Sequence, residues 1–108
     1  MQEEAVVQAL VALGHPVRLK VFRALVVSGT PGLTPGVMQE GLGIPATTLS
    51  FHLKEMSGAG LITMERMGRN LVYRAAYERV NGVLTYLTDN CCEGAACALE
   101  PVSVACDC

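Results

Sequence analysis

At 108 residues the chain is the size of one domain, and a hydrophobic fraction of 51% supplies a core with apolar surface left over for a partner subunit. Charged residues make up only 17% and there is no Trp, yet the composition is not that of a disordered chain, and no apolar run reaches the ~18 residues of a membrane span. The net charge of −2 rules out a uniformly basic nucleic-acid binder, so any contact with phosphate must come from a local surplus.

In chain order, residues 3–13 place Val6, Leu10 and Leu13 at helical spacing beside Val7 and Val11, and Gly14 ends that helix. Pro16 suits the first turn of a second helix, because the N–H it lacks would be unpaired there. Val17, Val21, Leu25 and Leu19, Phe22, Val26 line this helix, Arg18, Lys20 and Arg23 take its other face, and Gly29 stops it. Thr30-Pro31-Gly32 reads as a turn. Thr34 and Pro35 read as the N-cap and first residue of a short helix that runs to Gly43. After the turn at Ile44-Pro45, residues 46–57 form a further helix, with Leu49, Leu53 and Met56 on one side.

The period then changes from helical to alternating at residues 61–66 and 70–75, around Met67-Gly68-Arg69-Asn70, which predicts a β-hairpin. Residues 77–89 return to a helix striped by Val80, Val83, Leu84 and Leu87. From Asn90 the chain is rich in Cys, Ala and Gly. The expected class is mainly α with a small β-hairpin (α+β). Residues 1–90 form the folded domain and residues 91–108 a Cys-rich C-terminal segment.

Helix 34–42, its short turn and helix 46–57 make a helix-turn-helix, and the hairpin makes it a winged one. A helix that enters the major groove carries small polar groups in its N-terminal half. Here these are Thr47, Thr48 and Ser50, while Leu49 and Leu53 must face the core. His52 and Lys54 are expected near the groove rim, in reach of phosphate, and Arg66 and Arg69 at the hairpin can reach the backbone or minor groove. Charge agrees with this placement. Residues 44–74 carry Lys54, Arg66, Arg69 and Arg74 against Glu55 and Glu65, residues 1–43 are balanced, and the acidic excess lies after residue 75.

Three segments carry a family resemblance: ALGHPVRLKVFRAL at 12–25, TTLSFHLKEMSGAGLI at 47–62 and ERMGRNLVYRA at 65–75. Together they resemble the ArsR/SmtB family of metal-sensing repressors, through Leu13, Pro16, Arg18, Leu19 and Phe22 at the helix entry. Ser50, His52, Leu53, Met56, Ala59, Gly60 and Leu61 match along the recognition helix, and Arg66, Gly68, Arg69 and Tyr73 along the wing. The resemblance implies a dimer joined mainly by its first and last helices, bound to double-stranded operator DNA with inverted-repeat half-sites.

All five cysteines, Cys91, Cys92, Cys97, Cys106 and Cys108, fall in the last 18 residues. The acidic start Met1-Gln2-Glu3-Glu4 lacks the basic opening of a secretion signal, so the expected location is the cytoplasm, where thiols stay reduced. A thiol cluster there binds metal or does redox work. Thiolates are soft ligands, and three of them around arsenic(III) or antimony(III) give a neutral trigonal pyramid. Cys91, Cys92 and Cys97 are the favoured set, with Cys106 and Cys108 a competing pair.

Two placements common in the family are absent: residues 34–42 hold no Cys, and residues 76–90 hold no His. The C-terminal site therefore rests on clustering and thiolate chemistry. His15 reads as a helix-start residue rather than a ligand. The expected function is a homodimeric repressor released from DNA by trivalent arsenic or antimony. The alternatives are a disulfide-switched repressor of the same fold and a thiol-rich metal-buffering module that does not bind DNA. No Gly-rich phosphate loop, HExxH or triad-like set points to an enzyme.

Overall fold

The computed structural model describes residues 1–89. The five cysteines, and with them the expected C-terminal segment 91–108, lie outside the described residues. The order of elements is α1 (Glu3–Leu13), α2 (Pro16–Ser28), α3 (Pro35–Leu42), α4 (Ala46–Gly58), β1 (Ile62–Met67), β2 (Asn70–Ala75) and α5 (Tyr77–Thr88). This is the expected winged helix-turn-helix, and its boundaries follow from local chemistry. Among the described residues no helix is long and apolar enough to cross a membrane.

Gly14 closes α1, its N–H donating to the Leu10 carbonyl at 2.9 Å. His15 is the N-cap of α2, its Nδ1 accepting from the Val17 N–H at 3.1 Å ahead of Pro16. Thr34 caps α3 in the same way through Val37. Gly43 takes the left-handed conformation that ends α3, and Pro45 opens α4 without a side-chain cap. Pro16, Pro35 and Pro45 each sit where the missing N–H does no harm.

Among the described residues the core is one cluster. Val6, Ala9 and Ala12 of α1 meet Val21, Phe22 and Leu25 of α2, Met38 of α3, and Leu49, Leu53 and Met56 of α4. Leu61, Ile62 and Ala75 close it from the hairpin side, and Val83 of α5 packs against it. The hairpin is antiparallel, with Ile62 opposite Ala75 and Met67 opposite Asn70, so its turn is the two residues Gly68-Arg69. Only Ile62 of β1 is buried, and the rest of that strand stands in solvent.

The wing is nevertheless tied to the helices. The Leu33 N–H donates to the Tyr73 carbonyl at 3.0 Å, and the Tyr73 N–H returns a bond of 2.8 Å to Leu33. The segment entering α3 thus extends the sheet by one bridge. Arg74 adds a second tie, donating to the Thr30 carbonyl at 2.6 Å and to Glu65 Oε1 at 2.8 Å. At the other end, Arg18 donates to the Ala12 carbonyl at 2.7 Å and fixes the α1–α2 corner.

Candidate nucleic-acid interface

Helix α4 turns its residues out by a simple periodicity. Leu49, His52, Leu53 and Met56 recur at three- and four-residue spacing, and all four are buried. At about 100° per residue the opposite face is centred on Thr47, Phe51 and Lys54, with Thr48 and Ser50 to either side. All five are exposed. The polar set expected for groove contact, Thr47, Thr48, Ser50 and Lys54, therefore lies on the face away from the core. Among the described residues no side chain caps α4, so the N–H groups of its first turn are open to an outside acceptor, and the helix dipole adds positive character there.

His52 departs from expectation. It is only 6% exposed and lies within the core stripe, not at a groove rim. Its ring packs on His15 with centroids 4.6 Å apart, and Phe51 meets it edge-on at 5.4 Å. Its Nδ1 has no hydrogen-bond partner among the described residues. Burial lowers its pKa below the ordinary histidine value, His15 and Arg18 lower it further, and Glu55 opposes them. At that exposure the ring offers little surface to a phosphate, and its contacts are those of a packed side chain. The signal was present in the sequence, since His52 stands three residues after Leu49 and four before Met56.

On the hairpin, Arg66 and Arg69 are both exposed, Arg69 in the turn itself. Arg74 is engaged differently. It stands opposite Thr63 and reaches diagonally to Glu65, which neutralises both charges. The positive surplus of the middle segment is therefore carried by Lys54, Arg66 and Arg69 against Glu55. Two groups were missed in the sequence: Phe51 at the centre of the outward face of α4, and the Leu33–Tyr73 bridge that positions the wing. Among the described residues no three His, Cys, Asp or Glu side chains come together as a metal site.

This geometry has relatives. A family model described as a helix-turn-helix domain matches residues 13–65. The HTH-type transcriptional regulator YgaV of Escherichia coli is 34% identical over 83 residues, covering 77% of this chain and 82% of that protein. Among solved structures, the transcriptional repressor BigR from Xylella fastidiosa is 28% identical. It superposes with a TM-score of 0.62 over 79% of this chain and 85% of its own. An ArsR-like transcriptional regulator from Rhodococcus shares the fold at a TM-score of 0.70 and 20% identity, over 78% of this chain and 76% of that one.

Proposed function

The chain belongs to the ArsR family of helix-turn-helix transcriptional regulators, which are not enzymes, and from that premise we propose that it is a cytoplasmic homodimeric repressor released from its operator by trivalent arsenic or antimony. The observation that carries the DNA half of this reading is the outward face of α4. Thr47, Thr48, Ser50 and Lys54 are displayed there while Leu49 and Leu53 hold the helix to the core. In contact with a duplex, Thr47, Thr48 and Ser50 meet base edges, and Lys54, Arg66 and Arg69 meet phosphates.

The sensing half rests on the thiols. Three cysteines within seven residues, Cys91, Cys92 and Cys97, follow directly after α5 and supply a soft donor set of the right charge for a trivalent thiophilic ion. Capture of the ion by these three would restrain the chain at the end of α5. The helices α1 and α5 leave Val7, Leu10, Val11, Tyr86 and Leu87 exposed, an apolar surface suited to a second copy. A change at the end of α5 would thereby alter the spacing of two recognition helices about 34–36 Å apart, one turn of DNA.

The test is fluorescence anisotropy on operator DNA with fully reduced protein. Arsenite is expected to weaken binding about 5- to 150-fold. Replacement of Cys91, Cys92 or Cys97 by Ser is expected to abolish that response and to spare DNA affinity. Unchanged affinity with arsenite overturns the sensing claim. Release by peroxide instead, with loss of titratable thiols, selects a disulfide switch.

A further inference from the structure

We propose that Phe51 is a base-reading residue, its ring taking up the 5-methyl group of a thymine in the major groove and so selecting an A·T pair in each half-site. This rests on α4 being the groove-entering helix. The chain has two phenylalanines. Phe22 is in the core at 6% exposure, whereas Phe51 is 57% exposed. A ring more than half exposed forgoes much of the about 1.5–3 kcal/mol that full burial gives, so the single chain leaves part of that stabilisation to an outside contact.

The surroundings narrow what covers it. Thr47 stands one turn before Phe51 and Lys54 one turn after, and Thr48, Ser50 and Glu55 flank it. Every other exposed side chain on α4 beyond Ala46 is polar or absent. On α4 Phe51 is thus a single apolar ring inside a polar stripe whose two charges, Lys54 and Glu55, cancel, and the helix itself offers no contiguous apolar patch around it. The DNA major groove has the complementary pattern. Its floor is hydrogen-bonding edges interrupted by one kind of apolar group, the thymine methyl, and no other base pair offers one.

The ring is also held in place from below. Its contact with His52 is edge-on at 68°, and His52 is itself wedged against His15. The largely buried imidazole therefore supports the exposed aromatic side chain beside it. Lys54 on the same stripe supplies attraction to the backbone without sequence preference.

The experiment begins with selection of bound duplexes from a random-sequence pool by the full-length reduced protein. In the selected duplex each thymine is then replaced singly, in both half-sites, by deoxyuridine, which removes only the methyl group. At one thymine per half-site the replacement is expected to weaken the native protein about fourfold, the worth of one buried methyl group. Phe51→Ala should bind the thymine and uracil duplexes equally, and Phe51→Leu should retain part of the difference. Arg69→Ala, by contrast, should weaken both duplexes alike and lower the salt dependence. The proposal is overturned if no replacement matters, or if Phe51→Ala discriminates as well as the native protein. A native protein that retains no duplex from the pool overturns the DNA-binding reading along with it, whereas duplex binding without methyl discrimination overturns the Phe51 assignment alone.

Discussion

His52 shows what a single buried polar side chain does to this molecule. An imidazole in the core, whose Nδ1 has no partner among the described residues, resists protonation because the charged form would lose its water and face His15 and Arg18. In the unfolded chain the same group titrates near 6.5. The folded pKa is the lower of the two, so below about that value the unfolded state binds more protons and stability falls with pH. The loss starts as pH drops through the ordinary histidine value and ends once it passes the depressed one. Its slope is at most that of one proton, about 1.4 kcal/mol per pH unit.

Thermal denaturation at fixed protein concentration between pH 8 and pH 5 should show this decline. His52→Leu should flatten it while leaving stability at pH 8 within about 1 kcal/mol, since an unsatisfied buried nitrogen is removed along with the ring contact. An unchanged pH profile in His52→Leu would assign the decline to another group. The burial of His52 was legible in the sequence, in the spacing of Leu49, His52, Leu53 and Met56. The motif around His52 is compatible with either a structural or a phosphate-facing ring, and the periodicity favours the structural one. The exposure of Phe51 was legible from the same wheel, but its meaning was not, because an aromatic residue on a solvent face satisfies no local rule.

At the scale of elements, the wing depends on one residue that has no alternative. Gly32 has φ +67°, and a Cβ built there would lie 2.5 Å from the Tyr73 carbonyl oxygen and 2.7 Å from Val72 Cγ1. The close approach is what lets Leu33 pair with Tyr73 and lets the strand β2 lean on the entry to α3. Gly32→Ala combines a left-handed backbone penalty with a clash against main chain, about 2 kcal/mol or more together. The melting temperature should fall by about 10 °C.

Operator affinity should fall too, because Arg66 and Arg69 ride on the displaced hairpin. Gly43→Ala separates the two effects: Gly43 is also left-handed, but a Cβ there meets nothing within 4 Å, so its loss should be smaller and should leave the wing in place. Near-equal losses for the two variants would show that the clash at Gly32 relaxes away. The elements themselves were readable because Pro16, Pro35 and Pro45 and glycines 14, 29 and 43 mark helix ends, and a change of period marks the hairpin. The bridge was not readable. One residue pair forty positions apart leaves no repeating pattern in either segment, and only the folded chain brings Gly32 against Tyr73.

For the whole molecule, the division of apolar surface favours two copies over one. Helix α1 buries Val6, Ala9 and Ala12 inward, yet Val11 on its other side is 66% exposed, with Val7 and Leu10 beside it. Helix α5 packs on α1, buries Val83 and leaves Leu87 57% exposed. Neither surface is needed to close the core, and in a two-fold dimer each would meet its own copy or the other helix of the partner. Such a pairing gives each duplex two tethered recognition helices, so the second half-site binds at high effective concentration. Leu10→Glu and Leu87→Glu place a charge on this surface, outside the groove that Val7 and Val11 share with Lys54 and Glu55 of α4. Each should convert the protein to a folded monomer by sedimentation, with helical content retained, and weaken binding to a two-half-site duplex about a hundredfold or more while affinity for a single half-site is kept. A monomeric native protein, or variants that remain dimeric with full operator affinity, would move the subunit interface off α1 and α5 and leave their exposed valines and leucines to another partner.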